Sequence, residues 1–203
     1  MRVSIFGLGY VGCVTAGCLA KDGHEVIGVD VIPSKVEKLA SGHPTVIEAG
    51  LEDLIAEAHR QGRLTAVSDG LAAVLETDVS IICVGTPTGS DGSLDLSAVK
   101  QTAELIGRAL REKIDRHVVI LRSTVPAGTL ETVLFPALHP ELPLSALFRE
   151  SELVIVPEFL REGTAIADYY DPPFVVVGSA TGQPDENAVV VEALFGRVTD
   201  RLY

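Results

Sequence analysis

Arg2-Val3-Ser4-Ile5-Phe6-Gly7-Leu8-Gly9-Tyr10-Val11-Gly12 decides the fold. A β-branched apolar run leads straight into G-x-G-x-x-G, and residues 11–21 continue with the composition of a helix. In that setting each glycine has its own task. Gly7 turns the chain sharply, Gly9 lets backbone approach a pyrophosphate, and Gly12 lets the helix pack closely on the strand. The unpaired N–H groups and positive dipole at the helix start are then suited to phosphate oxygens. The segment therefore predicts a βαβ unit that binds a dinucleotide.

Asp30 ends the second predicted strand, eighteen positions after Gly12, near the offset at which a carboxylate meets the adenosine ribose. A carboxylate accepts hydrogen bonds from the ribose hydroxyls of NAD and repels the 2′-phosphate of NADP. Val31, Ile32 and Pro33 follow, so no arginine stands beside Asp30 to receive that phosphate. NAD is the expected cofactor. Lys35 also reaches the adenosine end, and its charge suits either dinucleotide.

Outward from this unit, strand-like runs at 2–6, 25–30, 79–84, 117–121, 153–156 and 174–178 alternate with helical segments at 11–21, 34–41, 51–61, 96–111, 129–138 and 186–195. Leu96, Val99, Ala103, Ile106 and Leu110 form one apolar stripe, with Lys100, Glu104 and Arg108 off it. Residues 197–203 are strand-like. The alternation predicts an α/β fold of the Rossmann type, a doubly wound, mostly parallel sheet with helices on both faces. Segments 42–50 and 85–95 are long for connections whose median is about four to six residues, which marks them as functional loops.

Composition narrows the function. The chain has 203 residues, 47% hydrophobic and 22% charged, enough for a globular core without disulfide or metal. Cys13, Cys18 and Cys83 show no metal-ligand spacing and read as small core residues, so no metal is expected. A formal charge of −12 without a Lys/Arg cluster argues against a nucleic-acid partner. Apolar runs such as 118–121 and 174–177 fall far short of the roughly 18 residues of a membrane span. The first residues enter the glycine turn directly, without the pattern of a signal peptide, and a cytoplasmic location is expected.

Further segments add a resemblance. Cys83-Val84-Gly85-Thr86-Pro87, Arg122-Ser123-Thr124-Val125-Pro126 and Pro157-Glu158-Phe159-Leu160-Arg161-Glu162-Gly163 resemble the UDP-glucose/GDP-mannose dehydrogenase family, as do Gly23-His24-Glu25-Val26 and Glu48-Ala49-Gly50-Leu51. The likeness covers essentially the whole chain. Arg122, the run Arg111-Glu112-Lys113 and the stretch from Asp168 to Pro173 favour the GDP-mannose branch over the UDP-glucose branch.

The resemblance implies that Gly7, Gly9, Tyr10, Val11, Gly12, Asp30, Lys35, Gly85, Thr86, Pro87, Ser123 and Thr124 form the NAD site. It implies that Glu158, assisted by Thr124, acts in catalysis by positioning or activating a hydrolytic water. Glu158, Phe159, Leu160, Arg161 and Glu162 would border a nucleotide-sugar substrate. Read from the residues alone, Thr86 and Thr124 could simply cap turns, and Glu158 with Arg161 could be a solvated pair.

Two positions depart from the family pattern. Val156 stands where asparagine is usual and removes an amide from the glutamate loop, and Ala49 stands where proline is usual. The family oxidises a sugar alcohol to a carboxylate with two NAD, through a cysteine thioester that needs an activated thiolate. None of the three cysteines lies in a nucleophile loop. The chain is accordingly expected to be the amino-terminal domain of a larger, oligomeric dehydrogenase whose middle and carboxyl-terminal domains are absent, able to bind NAD without turnover. A non-catalytic NAD-binding module is the competing reading, with Val156 as its motive.

Overall fold

The computed structural model describes residues 1–146, 152–179 and 186–196. Strands β1 (Arg2–Phe6), β2 (Glu25–Val29), β3 (Leu64–Val67), β4 (Val79–Ile82), β5 (Val118–Leu121), β6 (Leu153–Ile155) and β7 (Gly178–Ser179) form one sheet in the order β3-β2-β1-β4-β5-β6-β7. The first six are parallel, and β7 closes the edge antiparallel to β6. Strand order reverses between β1 and β4. In open α/β sheets the crevice at such a reversal, outside the carboxyl ends of the strands, is where ligands bind.

Two helical layers cover the sheet. Val3 and Ile5 of β1 pack towards α1 (Tyr10–Lys21) and α3 (Leu51–Arg60), joined by residues of α7 (Ala165–Tyr170) and α8 (Glu186–Phe195). Phe6 and Ile82 face the other way, against α4 (Gly70–Glu76), α5 (Ser97–Leu110) and α6 (Phe135–Leu138). β4 and β5 are buried along their whole length, which explains their unbroken apolar sequence. The stripe read for α5 is borne out, since Val99, Ala103 and Ile106 are fully buried. Each large side chain so buried contributes roughly 1.5–3 kcal/mol.

Several elements differ from expectation. β3 and α4 lie outside the expected elements: a four-residue strand with alternating burial carries little periodic signal, and α4 starts at a glycine. The signal for α4 lies in its cap, because the Asp69 carboxylate accepts the N–H groups of Leu71 and Ala72 at 3.1 Å. The strand expected at 174–178 shrinks to β7, after two prolines. The helix expected at 129–138 divides into a π-helical turn, Leu130–Leu134, and the short α6 with Pro136 in its first turn. Helix α2 (Pro33–Ala40) also starts on a proline, whose missing N–H costs nothing in a first turn. The strand-like segment 197–203 lies outside the described residues.

Polar groups at the amino end of the sheet are closed on one another. His117 is 1% exposed, with Nδ1 3.0 Å from the Thr77 carbonyl oxygen and Nε2 2.8 Å from Ser80 Oγ. Ser80 Oγ is in turn 2.8 Å from Ser4 Oγ, which lies 3.1 Å from Thr77 Oγ1. A carbonyl only accepts, so Nδ1 carries the proton and Nε2 accepts from Ser80. Burial lowers the imidazole pKa from 6.5 to about 4, assisted by the Lys113 charge, and keeps the ring neutral.

Candidate functional site

The glycine turn is built by close approach. Gly7 has φ +94°, and a Cβ there would lie 2.9 Å from the backbone of Cys83 and Val84. A Cβ on Gly12 would lie 1.8 Å from the Gly7 carbonyl oxygen. At Gly9, by contrast, a Cβ would meet nothing within 4 Å, so this face of the turn is open. Gly9 is the N-cap of α1 and makes no side-chain cap hydrogen bond, and the first turn carries no acidic residue. The opening N–H groups and dipole of the helix therefore face the crevice without a competing anion.

Asp30 stands at the end of β2, 8% exposed. Its Oδ2 accepts the Leu8 N–H at 2.7 Å and its Oδ1 the Ile32 N–H at 2.9 Å, with Lys35 Nζ 3.4 Å from Oδ2. One carboxylate thus fixes the glycine turn to the second strand, with Lys35 beside it. Thr86 and Thr124 link the loops after β4 and β5, the Thr86 hydroxyl donating to the Thr124 carbonyl at 2.8 Å. Gly85 and Pro87 are exposed on that rim. Ser123 is buried, and its hydroxyl donates to Val84 O at 2.7 Å, which joins the two strand ends.

Both long loops help to frame the crevice. Loop 42–50 lies on the glycine turn, where Thr45 Oγ1 donates to Leu8 O at 2.7 Å and the Thr45 N–H is 3.4 Å from Cys13 Sγ. Its Glu48 carboxylate accepts the Tyr10 hydroxyl, the Gly163 N–H at 2.8 Å and the Ala165 N–H at 3.1 Å. The bond from Tyr10 is the main reason the Glu48 carboxyl is held below its usual range. Burial first, then this bond, pushes the Tyr10 hydroxyl up to about 12. Loop 85–95 folds into a small hairpin, pairing Thr88 with Leu94, in which Asp91 accepts from both Ser93 N and Ser93 Oγ.

Glu158 follows β6, half-buried, and its Oε2 accepts the Leu160 N–H at 2.6 Å. It makes no pair with Arg161, contrary to the solvated-pair alternative. The exposed Arg161 guanidinium instead meets Asp168, with Nη2 2.6 Å from Oδ1 and Nε 3.2 Å from Oδ2. This contact is the first cause holding the Asp168 carboxyl well below the usual range. Phe159 packs edge-on against Phe174 at 4.6 Å, and Glu162 is exposed.

The structure brings Tyr10, Glu48 and the 161–165 backbone together. Asp30 with Lys35 and Glu158 belong to opposite parts of the edge, because β2 and β6 are four strand spacings apart, about 19 Å. Glu48, Thr45 and Asp168 join the site beyond the residues expected from sequence; their signals are the length of loop 42–50 and the acids at Glu48 and Asp168 within family-like segments. Cys13, Cys18 and Cys83 are all buried, and burial pushes the Cys18 and Cys83 thiols up to about 12. Among the described residues no group of His, Cys, Asp and Glu is placed to hold a metal, and no helix is long and apolar enough to cross a membrane.

Comparison with known proteins agrees with this geometry. Residues 1–199 match the model of the UDP-glucose/GDP-mannose dehydrogenase family, NAD binding domain. The chain is 47% identical over 183 residues to a GDP-mannose 6-dehydrogenase of Pseudomonas aeruginosa, covering 90% of this chain and 42% of that protein. A UDP-glucose 6-dehydrogenase of Haloferax volcanii is 36% identical over 193 residues, covering 95% and 44%. The crystal structure of a ternary complex of GDP-mannose dehydrogenase from Pseudomonas aeruginosa superposes with a TM-score of 0.90 at 43% identity, covering 98% of this chain and 44% of that one. The chain spans less than half the length of these relatives. Its fold, its open glycine turn and these matches lead to one conclusion: the chain belongs to the UDP-glucose/GDP-mannose dehydrogenase family and carries its NAD binding domain.

Proposed function

We propose that this domain is the amino-terminal, cofactor-holding part of a larger cytoplasmic enzyme that oxidises GDP-mannose to GDP-mannuronate. The observation carrying the choice of branch is the identity of 47% to a GDP-mannose 6-dehydrogenase, against 36% to a UDP-glucose 6-dehydrogenase. Bound NAD supplies the hydride acceptor. The pyrophosphate is held by the open backbone at Gly9 and the first N–H groups of Tyr10, Val11 and Gly12. Gly7 and Gly12 shape the turn, while Asp30 accepts from the adenosine ribose with Lys35 beside it.

Gly85, Thr86, Pro87, Ser123 and Thr124 form the rim towards the reacting end of the cofactor. Glu158, with Thr124, orients the water that hydrolyses the thioester left after the second oxidation, which adds the oxygen of the carboxylate and releases the thiol. Phe159, Leu160, Arg161 and Glu162 border the nucleotide-sugar. The strand spacing between Asp30 and Glu158 would leave the adenosine ribose to Asp30 and the reacting end of the cofactor to the Glu158 side of the edge. The covalent nucleophile is contributed from outside these residues, since Cys13, Cys18 and Cys83 are all buried, and the Cys18 and Cys83 thiols, raised to about 12, supply almost no thiolate at neutral pH. Taken alone, the domain binds NAD without turnover.

The test is to express the complete reading frame that contains these residues and to assay NADH formation with GDP-mannose and with UDP-glucose. Two NADH per GDP-mannose, and little with UDP-glucose, are expected. A preference for UDP-glucose overturns the branch, and a complete frame ending at this domain supports the non-catalytic module. Turnover by residues 1–203 alone would overturn the assignment of the nucleophile.

A further inference from the structure

Arg122 is an anomalous residue. It leaves the carboxyl end of β5 on the α1 side of the sheet and is 6% exposed, yet no carboxylate pairs with it among the described residues. Its guanidinium carbon lies 4.8 Å from the centre of the Phe195 ring. Its Nε is buried without a hydrogen-bond partner, and Nη1 reaches the Val156 carbonyl oxygen at 3.5 Å. A buried cation so sparsely satisfied is costly, and such an exception calls for a task.

The task is indicated by what surrounds it. Arg122 lines a cavity of about 30 Å³ together with Pro157, Glu158, Phe159 and Leu160. That space suffices for about one water molecule, which a buried guanidinium with a spare donor and a nearby carboxylate would hold. The segment 156–160 is held mainly by packing, with Val156 fully buried and Phe159 against Phe174, and makes few hydrogen bonds of its own. Val156 offers no side-chain donor or acceptor, its N–H donates to Leu121 O at 2.9 Å, and Pro157 has no N–H at all. The Glu158 carboxylate accepts from within its own turn, from the Leu160 N–H.

We infer that Arg122 is a positioning residue for Glu158, holding the 156–160 turn from below through the Val156 carbonyl and a water in the adjoining cavity. The contact does from β5 what a side-chain amide at position 156 would do from within the turn. The significance of the role rests on the catalytic reading of Glu158, but the geometry can be tested without any reaction.

The experiment is amide hydrogen exchange on residues 1–203, without cofactor or substrate, for the wild type, Arg122→Met and Arg122→Lys. Methionine retains the apolar stem, and lysine retains the charge with a reach too short for the same fork. We expect the Leu160 amide to lose at least about tenfold of its protection in Arg122→Met while Ile120, central in β5, changes by less than about twofold. Arg122→Lys should give an intermediate loss at Leu160 alone. A purely structural role lowers both amides together, and that result, or an unchanged Leu160, overturns the proposal. Should Arg122→Met fail to fold, the Leu160 to Ile120 ratio in Arg122→Lys decides alone. Failure of the catalytic reading shows itself separately, as wild-type turnover in Glu158→Gln of the complete enzyme.

Discussion

The two ends of the parallel sheet treat polar groups in opposite ways. At the amino end, Ser4, Thr77, Ser80 and His117 satisfy one another in a closed chain beneath the α4–α5 layer. At the carboxyl end, Asp30 and Glu48 accept from backbone amides of neighbouring loops, Glu158 accepts from an amide of its own turn, and the glycine turn stays open at Gly9. A closed network stabilises but cannot bind, whereas groups that anchor a loop and border a crevice can do both. Substitutions at the two ends should therefore separate stability from cofactor affinity.

The largest effect is expected where the turn has no room. Gly12→Ala drives a methyl group into the Gly7 carbonyl oxygen and should destabilise the domain by about 3 kcal/mol or more, measured by denaturant unfolding. Gly9→Ala meets no atom in the protein, so it should leave the unfolding midpoint nearly unchanged while weakening NAD binding. Equal losses of stability in the two variants would break the distinction between a packing glycine and a ligand-facing one.

His117 tests the closed end. Its folded-state pKa of about 4 lies below the 6.5 of the unfolded chain, so the unfolded state binds the proton first as pH falls. The stability this neutral ring contributes is complete above about pH 6.5, falls through the window from 6.5 to 4, and is fully lost below 4. The shift corresponds to a loss of roughly 3 kcal/mol across that window. His117→Gln should remove this slope from a pH series of urea unfolding curves. Affinity for NAD at neutral pH should stay within about twofold, since the sites are distant. An unchanged slope would place the acid sensitivity elsewhere.

A smaller effect belongs to Glu48, whose carboxylate joins loop 42–50 to the start of α7. Glu48→Gln removes a charge that the Tyr10 hydroxyl and two amides stabilise, and an amide oxygen accepts from them more weakly. Hydrogen exchange at Gly163 and Ala165 should quicken by a few-fold while the β4 amides hold. Unaltered exchange at both would mean that the strap does not restrain the 161–165 backbone.

The same contrast explains what was legible in the sequence. The βαβ unit could be read because Gly7, Gly12 and Asp30 answer to local geometry, each at a fixed offset from a strand end. β4 and β5 could be read because full burial leaves an unbroken apolar run. The far side was harder. β3 is a short strand at the sheet edge and α4 a single short helix over the sheet, stabilised by pairing with β2 and by the Asp69 cap more than by their own pattern. β7 runs antiparallel over two residues, and Pro136 helps to reshape the helix predicted at 129–138. Along the edge, which residues end the strands was readable, but their partnerships were not. That Glu48 straps Tyr10 to Gly163 depends on a chain separation of 115 residues, and that Arg161 turns to Asp168, seven residues on, depends on the path of an irregular loop, neither of which a periodic pattern encodes.

Calorimetric titration of NAD and NADP into the wild-type domain and Asp30→Ala tests the central claim most directly. The account predicts that NAD binds the wild type clearly more tightly than NADP. It also predicts that Asp30→Ala loses about tenfold or more in NAD affinity, the worth of a hydrogen-bonded carboxylate of about 1.4 kcal/mol, and narrows the gap between the cofactors. Equal affinity of the wild type for both dinucleotides, or undiminished NAD binding by the variant, would contradict it.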